Sequence, residues 1–215
     1  MSQHFKVHPV DPQRRLLQRA VDIIRGGGIV VYPTDSSYAF GWHIGDKPAL
    51  DKIRWIRQTE RDHDFTLVCR DLSEIATYAK VDNSEYRLLR AHTPGPYTFI
   101  LRATHETPKR LQDPKRRSIG IRVPDHPIAQ GLLEILGEPL MSSTLLLPGD
   151  SVPLTEPEEV VTRVGKLVDA IIDGGACGME PTSIIDFSRG DIAVLRKGKG
   201  DTSAFEDHVQ PRRHV

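Results

Sequence analysis

Residues 30–41 read VVYPTDSSYAFG. The stretch opens as a β-strand of branched and aromatic residues, a composition suited to a pleated, half-buried surface. A strand running on into a core would stay apolar. Instead Pro33 interrupts it, and five hydrogen-bonding side chains follow: Thr34, Asp35, Ser36, Ser37 and Tyr38. A polar loop at the carboxyl end of a core strand is where open α/β sheets build ligand sites. The same residues are ordinary turn formers, Asp and Ser because they bond their own backbone. On this stretch alone, both readings stand.

Working outward, residues 11–25 place Leu16, Leu17, Ala20, Val21, Ile23 and Ile24 on a helical stripe. Asp11 is the expected N-cap, Pro12 suits the first turn, and Gly26 to Gly28 stop the helix. After a loop carried to Gly41, residues 48–57 read as a second helix, then FTLVC as a short strand. Residues 71–79 and 82–91 read as helices. YTFILRA and SIGIRVP alternate like half-buried strands. HPIAQGLLEILG is a helix with Gly137 past its end. PLMSSTLLL is a strand or strand-to-loop junction, 156–168 a helix, and VDAIIDGG, TSIIDFS and IAVLRKG the last strands. Helices and strands interleave without strict βαβ order. That predicts a mixed α/β sheet covered by helices, with no internal repeat and no linker.

The chain has 215 residues, a length suited to one domain with a sizeable core. Lys plus Arg and Asp plus Glu both total 29, so there is no global basic signal for nucleic acid. Cys69 and Cys177 form no metal or redox spacing. The N-terminus has no signal-peptide core, and no apolar run reaches bilayer length. A cytoplasmic protein with no membrane partner is the expectation.

Three more clusters carry chemistry. HTPGPYTF (92–99) fixes a rigid turn before a strand, a feature that also merely ends helices. Cations gather at Lys52, Arg54, Arg57 and Arg61, at Lys115, Arg116, Arg117 and Arg122, and at Arg196, Lys197 and Lys199. Clustered positive charge suits phosphate or an RNA backbone, although many such residues form solvated faces. Arg122 sits inside an apolar alternation and Arg196 closes one, so both look aimed from strands into a cavity. Ser142, Ser143 and Thr144 end an apolar run, where hydroxyls can hold a phosphate or cap a turn. No P-loop, dinucleotide fingerprint or nucleophile elbow occurs. The nine histidines form no metal spacing, so no metal ligand from protein side chains and no catalytic acid or base is assigned.

These clusters, in this order, resemble the YrdC family. The matching segments are PTDSSYAF (33–40), PGPYT (94–98), IRVPDHP (121–127), SSTLL (142–146), PTSIID (181–186) and VLRKG (194–198). The resemblance implies a single domain over 8–200, with 201–215 as a flexible tail. It implies an open, twisted α/β sheet with a concave, positively charged cavity. It further implies synthesis of L-threonylcarbamoyl-AMP from L-threonine, bicarbonate and ATP, with Mg²⁺ accompanying ATP, for tRNA threonylcarbamoyladenosine modification. Thr34, Tyr38, Ser142 and Thr144 are thereby assigned to substrate, and Arg57, Arg122, Ser143 and Arg196 to nucleotide or phosphate.

The synthases carry a Lys-x-Arg-Pro segment where this chain has Arg57, Thr59 and Glu60, and an Asn where it has Leu146. Arg does not simply replace Lys at a point contact, and Leu offers no polar side-chain contact. These departures resemble the YciO-type branch. They imply a weak or divergent synthase. The alternative is a nucleotide- or double-stranded RNA-binding protein without turnover.

Overall fold

Period-two alternation decides which side of the sheet each residue takes. The computed structural model describes residues 2–59, 65–113 and 115–206. Its strands are β1 (Gln3–Lys6), β2 (Val30–Pro33), β3 (Tyr38–His43), β4 (Thr66–Val68), β5 (Ala79–Lys80), β6 (Tyr97–Ala103), β7 (Ser118–Arg122), β8 (Leu140–Thr144), β9 (Ala170–Asp173), β10 (Ser183–Asp186) and β11 (Ala193–Arg196). The helices are α1 (Arg14–Arg25), α2 (Lys47–Arg57), α3 (Leu72–Tyr78), α4 (Asn83–His92), α5 (Pro127–Leu136), α6 (Pro157–Val164) and α7 (Ser203–Glu206). The strand order is β1-β9-β2-β3-β8-β4-β7-β6-β10-β11, with β5 paired to β6. Parallel pairs (β1 with β9, β2 with β9, β4 with β7, β6 with β10) are interspersed with antiparallel ones, so the sheet is mixed as expected.

On one side, Phe40, Trp42, Leu67, Phe99, Ile121 and Met141 form a continuous apolar layer. The buried faces of α2, α3, α4 and α6 join it through Ile53, Ile75, Leu89 and Val160. The other side differs along its length. Under α1 and α5 it is apolar, with Val30, Tyr32, Leu140 and Ile172 against Val21, Ile24, Leu132 and Leu133. Further along, the cross-strand row Gly41, Ser142, Thr66 and Gly120 carries only small or hydroxyl side chains. From this polar half of the alternation, Ser142 and Thr66 reach the floor of the site.

Local chemistry sets most helix ends. Asp46 caps α2 by accepting from the Ala49 N–H at 2.8 Å. Asp71 caps α3, and Asp82 with Glu85 makes a reciprocal capping box on α4. The expected cap Asp11 does not cap α1, which begins at Arg14. Its N–H donates instead to His8 Nδ1 at 3.0 Å.

Four elements depart from the sequence expectation. The loop carried to Gly41 is in fact a tight turn followed by β3, in which Tyr38 to Trp42 are all buried. Because both faces of β3 are covered, large and small residues alternate there, not apolar and polar ones. β1 buries only Phe5 and forms by pairing in parallel with β9. The helix expected over 71–79 stops at Tyr78, and Ala79–Lys80 pair with β6. Residues 201–206, expected in a flexible tail, are anchored. Phe205 is fully buried, its ring centroid 4.5 Å from His92 and 5.9 Å from Tyr97. The remainder of the expected tail, 207–215, lies outside the described residues, as do Glu60 and Arg61.

Truncating this anchor tests whether the end of the chain contributes to the core. Phe205→Ala is expected to cost about 3–5 kcal/mol, as other buried Phe truncations do. A lowered urea midpoint with an unchanged m-value would report it. A midpoint equal to that of the parent would show that α7 is dispensable.

Candidate functional site

The uncovered half of the sheet floors a cavity of about 700 Å³. That lies within the size range of small-molecule sites. Thr66, Thr98, Ser142 and Thr144 rise from the strands, and Ser36 and Ser37 come from the turn between β2 and β3. Leu146, Val152, Met179 and Pro181 form an apolar rim. Arg57, Arg122 and Arg196 supply the charge.

Each arginine is delivered by the end of an element. Arg122 closes β7 and is only 8% exposed. Its NH1 donates to Ser36 Oγ at 3.1 Å, and its NH2 reaches Thr34 Oγ1 at 3.4 Å and ion-pairs with Asp35. Arg122 Nε and Asp35 Oδ2 remain buried without partners. Arg57 ends α2 and donates through NH1 to Ser143 Oγ and through Nε to the Leu146 carbonyl at 3.3 Å. Arg196 ends β11 and holds Thr182, Nε to its carbonyl at 2.9 Å and NH2 to its hydroxyl at 3.1 Å. Thr182 in turn bonds Thr98 at 2.9 Å. Burial pulls Arg57 and Arg196 below the ordinary guanidinium range. Partly desolvated cations of this kind interact strongly with an entering anion.

The turn after β2 satisfies both sequence readings. Thr34 Oγ1 donates to the Ser37 carbonyl at 2.7 Å and accepts from the Ser36 and Ser37 N–H groups at 3.2 Å. That is ordinary turn chemistry, and it leaves Ser36 and Ser37 on the cavity wall. The Lys199 ammonium binds the Asp35 carbonyl and ties the turn to the chain beyond β11.

Six of the eight side chains expected at the site line this cavity: Arg57, Arg122, Ser142, Ser143, Thr144 and Arg196. Thr34 and Tyr38 do not. Thr34 is turned onto its own backbone and onto Arg122, behind the wall. Tyr38 points to the opposite, apolar side of the sheet, where it is fully buried and donates to the Gly175 carbonyl at 2.7 Å. Burial raises its hydroxyl well above the usual phenol range. The expected aromatic wall is therefore core, because Tyr38 shares the face of Phe40 and Trp42. Thr66, Thr98 and Thr182 join the site without having been expected there, although Thr66 and Thr98 occupy the polar half of alternations visible in FTLVC and YTFILRA. Val152 and Met179 lie in irregular segments that carry no such signal. The PGP turn has a structural role: the Gly95 N–H donates to the Val123 carbonyl at 2.9 Å and sets the start of β6.

Residues 22–198 match the Sua5/YciO/YrdC family model, described as "Telomere recombination". The YciO protein of Escherichia coli K12 is 53% identical over 205 residues, which is 95% of this chain and all of that one. Its crystal structure superposes with a TM-score of 0.92. Threonylcarbamoyl-AMP synthase of Vibrio cholerae is 26% identical over 185 residues, covering 85% of this chain and 97% of the relative. The fold is also that of P. abyssi Sua5 complexed with L-threonine, at TM-score 0.86 and 22% identity over 97% of this chain and 61% of that one.

Two outcomes follow from the wall itself. Arg122→Met leaves the Asp35 carboxylate buried and unpaired, and is expected to cost about 3–5 kcal/mol of stability. Adding Asp35→Asn should recover part of that loss in a double-mutant cycle, and additive losses would show that the pair is uncoupled. The second outcome concerns His126, whose Nδ1 caps α5 by accepting from the Ile128 N–H at 3.2 Å. Burial lowers its pKa, with Arg122 acting in the same direction and Asp35 against it. The unfolded chain therefore takes up this proton first as pH falls. The contribution of His126 to stability is complete above the ordinary histidine value of about 6.5 and is lost as pH drops through the depressed folded value. Urea midpoints of the parent should fall more between pH 7.5 and 5 than those of His126→Asn, which keeps a capping acceptor. Parallel slopes would show that His126 does not contribute to the acid loss.

Proposed function

The chain belongs to the Sua5/YciO/YrdC family, and on that premise we propose that its cavity binds ATP and L-threonine and forms L-threonylcarbamoyl-AMP slowly. The observation that carries this reading is the convergence of Arg57, Arg122 and Arg196 on one hydroxyl-lined cavity. The distant threonylcarbamoyl-AMP synthase relatives and the Sua5 complex with L-threonine support it.

The threonine amine takes up the bicarbonate carbon with loss of water, giving a carbamate. A carbamate oxygen then attacks the α-phosphorus of ATP, the bond to the bridging oxygen breaks, and pyrophosphate leaves. Little of this needs an acid or base from protein. It needs reactants held in line and charge balanced on the departing phosphates. Arg57 and Arg196 face that charge, Ser143 adds a hydroxyl, and Ser142 and Thr144 hold the small substrate. Mg²⁺ accompanying the triphosphate would supply further neutralisation.

Slowness follows from Thr59 and Leu146, where the synthases have Arg and Asn. Each missing charge-assisted hydrogen bond is worth about 1.5–3 kcal/mol. Without two such bonds in the transition state, the reaction slows by about a hundredfold to ten-thousandfold. Pyrophosphate release in the presence of L-threonine, bicarbonate and ATP should therefore be detectable but weak, and Thr59→Arg with Leu146→Asn should raise it. A parent as fast as ordinary synthases would show that neither position matters. A double variant that folds and binds ATP yet stays inert would favour binding of a nucleotide or RNA without turnover.

A further inference from the structure

Two consecutive hydroxyls of β8 border the cavity from opposite faces of the strand, Ser142 beside Gly41 and Ser143 beside Phe40, and have opposite hydrogen-bonding polarity. Ser142 Oγ donates its single proton to the Phe40 carbonyl at 2.9 Å. The Tyr32 hydroxyl lies 2.9 Å from the same oxygen. Because the Ser142 proton is already committed, Tyr32 must be the donor in that bond. What Ser142 Oγ has left for the cavity is a lone pair. Ser143 is the reverse. Its Oγ accepts from Arg57, and it has no acceptor of its own among the described residues, so its proton is free for a ligand.

We propose that Tyr32 is a positioning residue that makes Ser142 a pure acceptor toward the cavity, so the ligand atom seated there carries a proton, as an ammonium group does. A phosphate or carboxylate oxygen at that point would meet lone pair with lone pair and is excluded. It is directed one residue on, to Ser143 and Arg57. The inference rests on the functional reading above for the identity of the amine, but the polarity itself does not.

The fold shows how Tyr32 reaches Ser142. They sit on β2 and β8, with β3 between them. Gly41 pairs with Ser142, and the Tyr32 ring passes over it. A Cβ at position 41 would come within 2.9 Å of that ring and 2.7 Å of Leu140 Cδ2, so only glycine leaves the passage open. Tyr32 is 1% exposed, and burial pushes its hydroxyl up to about 12. It stays protonated, and so remains a donor, throughout the physiological range.

The test is calorimetric titration of the full chain with L-threonine and, separately, with pyrophosphate. Parent, Tyr32→Phe and Ser142→Ala are compared, each variant deleting one hydroxyl from an otherwise intact side chain. Both are expected to weaken L-threonine about ten- to hundredfold, the range for a hydrogen bond to a charged group. Pyrophosphate affinity should stay within about twofold. Equal losses for both probes, a loss for pyrophosphate alone, or no loss for L-threonine would each overturn the proposal. A parent that binds pyrophosphate but not L-threonine would sink the functional reading instead. The polarity is then decided on pyrophosphate alone: Ser142→Ala binding it as tightly as the parent upholds the acceptor, and weaker binding overturns it.

Discussion

The bond network of Arg122 gives the cavity its wall. β7 and β3 are separated by β4 and β8, three strand steps or roughly 14 Å. An open sheet with that span and no covering helix would offer a shallow surface. Arg122, pointing from the last position of β7, instead engages Thr34, Asp35 and Ser36 of the turn before β3. The bare side is thereby closed at one edge. The cost is a buried ion pair, with Asp35 Oδ2 and Arg122 Nε both left without partners. Such a pair adds little net stability over apolar packing, but losing one member is costly. Retaining it makes sense where geometry matters more than stability, as in a site that works by positioning.

This arrangement also divides the three cations. Arg122 is occupied by its own carboxylate and serves first as architecture. Arg196 leans on the neutral Thr182, and Arg57 reaches Ser143 and the Leu146 carbonyl. Arg196 is held by neutral groups among the described residues, so its positive charge faces the cavity. The hydroxyls near the Arg122 wall suit a smaller, less charged group. One cavity can in this way sort two ligands by charge.

How much of this is legible in the sequence depends on whether each face of an element has a single environment. β6 and β7 have one apolar and one polar face, so YTFILRA and SIGIRVP announce both the strands and the exceptional Arg122. β3 is buried on both faces, and its Tyr-Ala-Phe-Gly-Trp run offers no polar alternation to read. Tyr38 misleads for the same reason: its hydroxyl suggests a ligand contact, but its register puts it beside Phe40 in the core. β1 and α7 are set by partners distant in the chain, β9 for one and the cluster around Phe99 for the other. No local pattern contains that information. The Ser142–Thr144 segment is visible as a row of hydroxyls, but the difference in polarity between neighbours comes only from Tyr32, Phe40 and Arg57.

The departures from the synthases take on a definite meaning once placed in the fold. Gln58 ends α2 in the left-handed region at φ 50°, and the Thr59 N–H turns back to the Arg54 carbonyl at 3.2 Å. Thr59 is thus held against the end of the helix, its hydroxyl buried and without a partner, and it does not line the cavity. Leu146 does line it, and its carbonyl receives Arg57. The cation at the end of α2 is therefore steered by backbone from the very position where the synthases carry Asn. Backbone steering fixes Arg57 regardless of the side chain at 146, which leaves that side chain free to change. Replacing a polar group there by Leu makes this corner apolar, beside Val152 and Met179 on the rim. In the proposed reaction, which relies on positioning and charge more than on proton transfer, a substitution of this kind is expected to alter affinity and rate while leaving the fold and its three arginines in place.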